Sequence, residues 1–276
     1  MHRLALVFVL ACFAANSLLT RAGLAGGGDA MAFAAIRSAS AAVTLAVLTV
    51  ALGRRLPLLD RRRIVEAGAL LLYLWGFSAA YREMDAGTGA LVLFGTVQVT
   101  MFAAALSERP GPRRWAGTGI ALVGLSLLAG GAASWAALAM MAAAGVGWGV
   151  YSLAGRAAAD PLSATAANFV WASAALVPLS LMSGGPAPEG PGIPLALASG
   201  IVASGLGYAA WYAVLPSLER TVAALAQLSV PAIALIAAWP LLGEVPTPLA
   251  LAACALILGG VAFGLGPYRR IGSSAS

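Results

Sequence analysis

The sequence has very few of the side chains that most enzymes use. Among its 276 residues, His2 is the one histidine, and the two cysteines, Cys12 and Cys254, are isolated in apolar runs. Charged residues make up 9% of the chain, against roughly 25% in a typical soluble protein. The sequence shows no paired carboxylates, metal-ligand spacing or glycine-rich nucleotide loop. We therefore predict that the protein is not an enzyme, and we expect no cofactor and no metal.

Apolar residues dominate instead, at 61% of the chain with a mean hydropathy of +0.91. A membrane-spanning helix needs about 20 mostly apolar residues. Ten such stretches lie between short polar breaks, and the alternation typical of membrane β-strands is absent from them. We predict an all-α membrane protein with ten transmembrane helices, near residues 4–20, 30–52, 64–82, 87–107, 113–130, 134–156, 162–182, 194–215, 221–242 and 247–266.

The first apolar stretch has two interpretations. Arg3 precedes it and small residues follow at Ala14 and Ala15, which is typical of a cleaved secretion signal. Against this, NSLLTRAG at 16–23 resembles YSLAGRAA at 151–158 in the sixth helix. Because a cleaved leader would not carry a repeat, we interpret this stretch as the first helix of the bundle.

The chain also matches itself at an offset of 136 positions. This shift places Glu244 on Glu108, Gly260 on Gly124 and Trp211 on Trp75. We predict two five-helix repeats, residues 1–131 and 132–268, followed by a tail at 269–276. Because five is odd, the second repeat must enter the membrane in the opposite sense to the first. Inverted repeats of this kind usually hold a substrate site between the two halves, near the middle of the membrane.

Orientation follows from the arginines, since the chain contains no lysine. Thirteen of the sixteen arginines lie in breaks or ends on one side, Arg21 and Arg82 lie on the other, and Arg37 lies inside a helix. By the positive-inside rule, we predict a multi-pass protein of the bacterial inner (plasma) membrane with both termini cytoplasmic. This topology and anionic lipid account for the net charge of +6, so we expect a membrane lipid partner and no nucleic acid.

Each predicted repeat ends in an apolar helix, a glutamate turn (LSERPGP or LGEVPTP) and a glycine-rich helix. In these features the chain resembles the EamA family of the drug/metabolite transporter superfamily over nearly its whole length. WGVYSLAGR at 148–156 and GYAAWY at 207–212 resemble exporters of aromatic amino acids in that superfamily. The resemblance implies a ten-helix inner-membrane exporter of amino acids or related metabolites. The chain departs from the family at Gly95, where the fourth helix usually has proline, as Pro231 does in the ninth.

Polar and aromatic residues inside the predicted helices indicate a binding site, because polar groups avoid lipid. Tyr208, Trp211 and Tyr212 share one helix face, and Gln227 precedes Pro231, which frees a backbone carbonyl. We predict a wide central cavity lined by helices 1, 3, 4, 6, 8 and 9, with helices 5 and 10 peripheral or at a dimer face. The predicted substrate-binding residues are Asn16, Tyr73, Trp75, Phe94, Gln98, Trp148, Tyr151, Ser152, Tyr208, Trp211, Tyr212, Gln227 and Ser229.

Other residues in the helices allow simpler interpretations. Gln98 and Asn168 either line the cavity or only bridge helices, and Arg37 either extends to the membrane surface or belongs to the transport path. Glycines at 145–149 indicate close helix packing. Aromatic residues near helix ends are expected to anchor the protein at the membrane interface; these are Tyr81, Trp115, Trp135 and Tyr268.

Together these features predict a transporter that exports amphipathic amino acids, aromatic ones included, by alternating access. The alternatives are a membrane-embedded enzyme acting on a lipid-linked substrate, or a channel or scaffold. We expect a small-molecule substrate as partner, and a monomer or homodimer. Every acidic residue lies in a break or at a predicted helix end, so we predict no obligatory proton coupling.

Overall fold

The computed structural model describes residues 2–104, 106, 111–129, 134–155, 158–214 and 220–265. Within these ranges the regular structure is helical, and the prediction of an all-α fold with ten helices is confirmed. The turn glutamate Glu108, the anchor Tyr268 and the tail at 269–276 lie outside the described residues. The helices are α1 (His2–Ala25), α2 (Ala30–Ala51), α3 (Arg62–Ala80), α4 (Ala86–Ala104), α5 (Pro112–Ala129), α6 (Trp135–Gly155), α7 (Pro161–Ser183), α8 (Gly192–Val214), α9 (Arg220–Leu242) and α10 (Pro248–Leu265).

Seven of these helices, α1 to α4 and α6 to α8, are long and apolar enough to cross a membrane. Shorter apolar stretches lie at Ser229–Leu242 in α9 and Pro248–Gly264 in α10. Large apolar side chains on the outside of the bundle, such as Leu181, Met182 and Ile236, are exposed. Lipid is the solvent in which such a surface is stable, so the protein is a multi-pass membrane protein.

Short connections set the two ends of the bundle. Asp29 caps α2 by accepting a hydrogen bond from the backbone N–H of Met31 (3.2 Å), and α7 ends at Gly184, whose φ of 62° suits glycine. Because the breaks are short, consecutive helices run in opposite directions. We call the end of the bundle that holds His2 the near end, and the opposite end, which holds Ala25 and Ala30, the far end.

The helices pair in an order that the predicted repeat requires. In a five-helix repeat, α1 to α5 correspond to α6 to α10 in the same order. The contact of α3 with α6 then corresponds to the contact of α8 with α1, and both occur. The contact of α4 with α6 likewise has its counterpart in that of α9 with α1. The pairs α2 with α7 and α5 with α10 map onto themselves. The boundary of the repeats at residue 131 stays a prediction.

Helices α5 and α10 lie to one side of the bundle, as expected. They pack mainly against each other, and otherwise against α4 and α9. A Cβ atom added at Gly260 would lie 2.7 Å from the carbonyl oxygen of Gly117, so the two backbones touch directly. The other helices therefore surround the centre of the protein.

Helix α6 also packs through glycine. A Cβ at Gly147 would lie 2.6 Å from the carbonyl oxygen of Ala69 in α3, and one at Gly145 would lie 2.8 Å from that of Leu93 in α4. Neither backbone can retreat without moving its helix. This confirms residues 145–149 as a close-packing surface, which holds α6 and its aromatic residues deep in the bundle.

We expect Gly147→Ala to destabilise the protein by about 1–3 kcal/mol, because the new methyl group overpacks the contact with α3. The measurement is the melting temperature of the purified protein in detergent, which should fall by several degrees. Gly68→Ala is the matched control, since a Cβ at Gly68 of α3 meets nothing within 4 Å. An equal effect of the two substitutions would contradict the glycine contact.

Candidate functional site

Aromatic rings from four helices meet at the centre of the bundle. Trp148 of α6 lies 5.0 Å from Tyr73 of α3 and 5.3 Å from Tyr208 of α8, measured between ring centroids. Phe13 of α1 lies 5.8 Å from Tyr208. At 1.5 Å per residue, Trp148 is roughly 20 Å along α6 from the far end. The rings therefore lie well inside the bundle.

A small cavity adjoins this cluster. It offers about 20 Å³ to the centre of a water molecule, which is room for about one water. The predicted wide pocket is therefore wrong for this structure, because the rings fill the centre themselves. Its wall consists of Phe13, Asn16, Ser17, Tyr73, Phe77, Leu93, Phe94, Trp148 and Tyr208.

Five of the predicted binding residues line this cavity, namely Asn16, Tyr73, Phe94, Trp148 and Tyr208. Two more pack beside it. The ring of Trp211 lies 5.9 Å from that of Phe13, and the ring of Tyr151 lies 5.6 Å from that of Trp148. Trp148 and Trp211 thus face the interior of the protein. Their role in substrate binding stays a prediction.

The other predicted binding residues lie away from the cavity wall. Tyr212 lies beside Tyr151 and Thr165. Helix α9 contacts α1 and α4 but contributes no described residue to the wall, and because several of its side chains lie outside the described part of the chain, its place in the lining stays a prediction. The partly buried residues that the structure does not bring to the cavity are Trp75, Gln98, Ser152, Gln227 and Ser229.

Sequence reasoning missed several residues of the wall. Phe13 precedes Asn16 by three residues and Phe77 follows Tyr73 by four, so spacing from the predicted residues could have indicated these two, whereas Ser17, next to Asn16, gave no such signal. Ser199 and Ser204 were also missed. They lie in a π-helical stretch of α8, Ser199–Leu206, an irregularity that often occurs at functional sites.

Arg37 of α2 is fully buried and lies behind this wall. Its Nε donates a hydrogen bond to Ser204 Oγ (3.1 Å), and Nη2 donates to the hydroxyl of Tyr73 (2.8 Å). Its guanidinium carbon lies 5.2 Å from the ring centroid of Tyr73 and 4.9 Å from that of Phe77. The side chain therefore does not extend to the membrane surface, and that alternative is wrong.

The hydrogen bonds continue from Arg37 to α1. Asn16 Oδ1 accepts from Ser199 Oγ at 2.8 Å and from Ser204 Oγ at 3.5 Å. None of the ion pairs in the described part of the chain includes Arg37, and its Nη1 has no hydrogen-bond partner there. The centre of the protein thus holds a positive charge surrounded by neutral groups.

A second buried polar cluster lies toward the near end. Asn168 of α7 donates a hydrogen bond to Glu66 Oε2 of α3 at 2.8 Å, and Arg63 pairs with the same oxygen. Asn168 therefore bridges two helices, one of its two predicted roles. Glu66 is buried one turn inside α3, so the expectation that every acidic residue lies in a break or at a helix end is wrong for Glu66.

At the far end, an ion pair joins the two halves of the chain. Arg21 Nε of α1 donates to Glu244 Oε1 at 2.8 Å, and the other oxygen of Glu244 accepts from the backbone N–H of Ala86 (2.7 Å), the first residue of α4. Tyr81 is buried beneath this link, and its hydroxyl donates to the carbonyl of Ala86. The prediction that Tyr81 is an interfacial anchor is therefore wrong, whereas Trp115 and Trp135 are exposed as expected.

A corresponding link lies at the near end. Arg54, after α2, pairs with Asp160, which caps α7, at 2.8 Å. Burial raises the pKa of Asp160, but hydrogen bonds from Ser163 and the charge of Arg54 outweigh it and hold the pKa below its usual value. The pair is therefore charged at neutral pH, and its contribution is lost as the pH falls through that lowered pKa.

We expect Glu244→Gln to loosen the far end, because charge-assisted hydrogen bonds contribute about 1.5–3 kcal/mol each. The readout is the rate at which a maleimide labels Ser17→Cys, with Cys12 and Cys254 changed to alanine, in purified protein. We expect labelling to be about tenfold faster or more. Asp85→Asn is the control, since Asp85 is exposed and lies 3.8 Å from Arg21. Equal rates in both variants would show that Glu244 does not close this end.

Comparisons with known proteins agree with this architecture. The sequence model of the EamA-like transporter family matches residues 134–265. An uncharacterized protein of Pseudomonas aeruginosa is 44% identical over 276 residues, which cover 98% of this chain and 95% of that protein. A solved crystal structure of a protein, 22% identical, has a TM-score of 0.69 over 95% of each chain, and at that identity it shows the fold alone.

The comparisons and the structure lead to the same assignment. The family match falls on the second half of the chain, and the first half packs against it through helix contacts of corresponding order. The Pseudomonas relative extends the likeness to nearly the whole sequence. This protein belongs to the EamA-like transporter family of membrane transporters for small molecules.

Proposed function

We propose that this protein exports amphipathic amino acids, aromatic ones included, across a bacterial inner membrane with both of its termini in the cytoplasm. The observation that carries the proposal is the central cluster of Tyr73, Trp148 and Tyr208 beside the amide of Asn16. Rings of this kind stack on apolar and aromatic groups and attract cations such as an ammonium. The amide and nearby hydroxyls offer hydrogen bonds to a polar head group.

The size of the cavity indicates how a substrate would enter. Since the space has room for only about one water, a substrate must displace the rings from one another. Aromatic walls select weakly, because one methylene changes binding by only about 1–3 kcal/mol. We therefore infer that several amino acids compete for the same site.

Alternating access would use the two polar links described above. Arg21 with Glu244 joins the two halves at the far end, and Arg54 with Asp160 joins them at the near end. Opening either end requires the link there to separate while the other persists. The predicted inverted repeat supplies two states of similar energy between which a substrate can select.

A membrane-embedded enzyme is the weaker alternative. It would need a charged catalytic group facing its substrate, and none of the described residues that line the cavity is acidic or a histidine. A channel would need a continuous polar path, whereas the cavity wall is largely aromatic. Membership of a transporter family also favours transport over both alternatives.

We expect Trp148→Ala to lower the rate of phenylalanine uptake into proteoliposomes by about tenfold or more, because Trp148 contacts several rings and each aromatic pair contributes about 0.5–1.5 kcal/mol. Trp135→Ala is the matched control, since Trp135 lies on the same helix but is 76% exposed. The uptake of labelled amino acids by the unaltered protein tests the function itself. If no amino acid is taken up, the proposed substrate class is wrong.

We also expect transport to follow the substrate gradient without a coupled proton. The buried acidic residue Glu66 is held by Arg63 and Asn168, and none of the described residues that line the cavity is acidic. The measurement imposes a pH gradient across proteoliposomes with equal substrate on both sides. Accumulation that a protonophore abolishes would contradict this expectation and make Glu66→Gln the next variant to test.

A further inference from the structure

The positive charge of Arg37 has no counter-charge in the described part of the chain. A guanidinium keeps its proton at every working pH, and the groups around this one are the hydroxyls of Ser204 and Tyr73 and two aromatic rings. These contacts solvate the charge without neutralising it. Charged side chains inside membranes are costly, and they usually mark a path or a ligand site.

The unpartnered nitrogen of Arg37 adds a second, independent observation. Nη1 is buried and has no hydrogen-bond partner among the described residues. A guanidinium presents its N–H groups in a planar fork that matches a carboxylate. Arg37 therefore has the free donor, as well as the charge, to bind an anion.

We propose that Arg37 binds the carboxylate of the transported substrate. The proposal rests on the proposed function and adds to it a group that the substrate must carry. Tyr73 and Phe77 line the cavity and also contact the guanidinium. A movement of these two rings, which entry of a substrate requires in any case, opens Arg37 to the cavity.

The same contacts define what accompanies the carboxylate. The hydroxyl of Tyr73 accepts a single hydrogen bond from Arg37, and the ring of Tyr73 lies 5.0 Å from that of Trp148. A ligand that takes the place of the Tyr73 side chain between Arg37 and Trp148 has its carboxylate at Arg37 and an apolar group among the central rings. Both a zwitterionic amino acid and a simple carboxylate with an apolar body have this chemistry. These two ligands differ in the amino group, for which Asn16 Oδ1, close to Ser204, is a hydrogen-bond acceptor.

A purely structural role for Arg37 must be distinguished from this one. Its hydrogen bonds join α2 to α3 and to α8, so loss of the side chain would weaken packing whatever the substrate is. A loss of activity in an Arg37 variant is therefore not a sufficient test. The informative quantity is the preference for ligands that carry a carboxylate over matched ligands that do not.

The experiment measures how four matched compounds inhibit uptake of labelled phenylalanine into proteoliposomes. They are unlabelled phenylalanine, its amide, 3-phenylpropanoate and phenethylamine. For the unaltered protein, we expect the two carboxylates to inhibit at least tenfold more strongly than the amide and the amine. The difference in inhibition between phenylalanine and 3-phenylpropanoate then shows whether the amino group also contributes to binding.

Two variants of Arg37 and a control test whether this residue causes the preference for a carboxylate. Arg37→Gln should bring the ratio between phenylalanine and its amide close to one, while Arg37→Lys, which keeps the charge without the fork, should retain part of it. Arg55→Gln, an exposed near-end arginine, should leave the ratio unchanged. If Arg37→Gln does not fold, the test of the proposal is the ratio between phenylalanine and its amide in the unaltered protein, compared with the same ratio in Arg37→Lys.

The outcomes separate this proposal from the proposed function. Uptake with an unchanged ratio in Arg37→Gln, or equal inhibition by phenylalanine and its amide in the unaltered protein, overturns the role of Arg37 and leaves amino acid transport standing. If no phenylalanine is taken up, the part of the proposed function that includes aromatic amino acids fails. Arg37 is then tested by melting temperature, where stabilisation by phenylpropanoate but not phenethylamine, lost in Arg37→Gln, supports the site and equal shifts overturn it.

Discussion

Lipid offers no hydrogen-bond partners, so polar side chains inside this bundle bond to the protein itself, either within their own helix or across to another. That constraint explains the path of the buried hydrogen bonds. Arg37 of α2 reaches Tyr73 of α3 and Ser204 of α8, and Ser204 leads to Asn16 of α1. Four helices are thus joined by one chain of polar contacts, and the aromatic cluster packs against it.

Glycine makes these contacts possible. A Cβ at Gly205 would lie 2.7 Å from Thr44 of α2, and one at Gly207 would lie 2.8 Å from Cys12 of α1. Gly205 lies within the π-helical stretch that holds Ser204, and Gly207 follows it directly. The close approach of α8 to two neighbours brings short serine side chains within reach of Arg37 and Asn16. Small residues and polar pairs therefore act together, as is common where helices associate in lipid.

Composition predicted the fold, because ten apolar stretches allow little besides a helical bundle. It also predicted those site residues whose chemistry is unusual in lipid, such as Asn16 and Trp148. Phe77 could not be recognised in the same way, since phenylalanine in an apolar helix is equally suited to lipid. Tyr81 was misplaced because sequence position does not show that the ring fits against Gly89, which has no side chain to exclude it.

The positions of the charges suggest how the two ends and the centre differ. At the far end Arg21 meets Glu244, and near the other end Arg63 meets Glu66, so each of these buried or half-buried arginines has its own acid. Arg37 has none among the described residues. In the proposed alternating-access cycle, the links at the two ends separate and re-form, and they can carry both charges within the protein because each pair is restored in every cycle. If the charge of Arg37 is paired only when substrate is bound, the central site differs between its empty and occupied states. A ligand needs such a difference in order to shift the balance between two conformations.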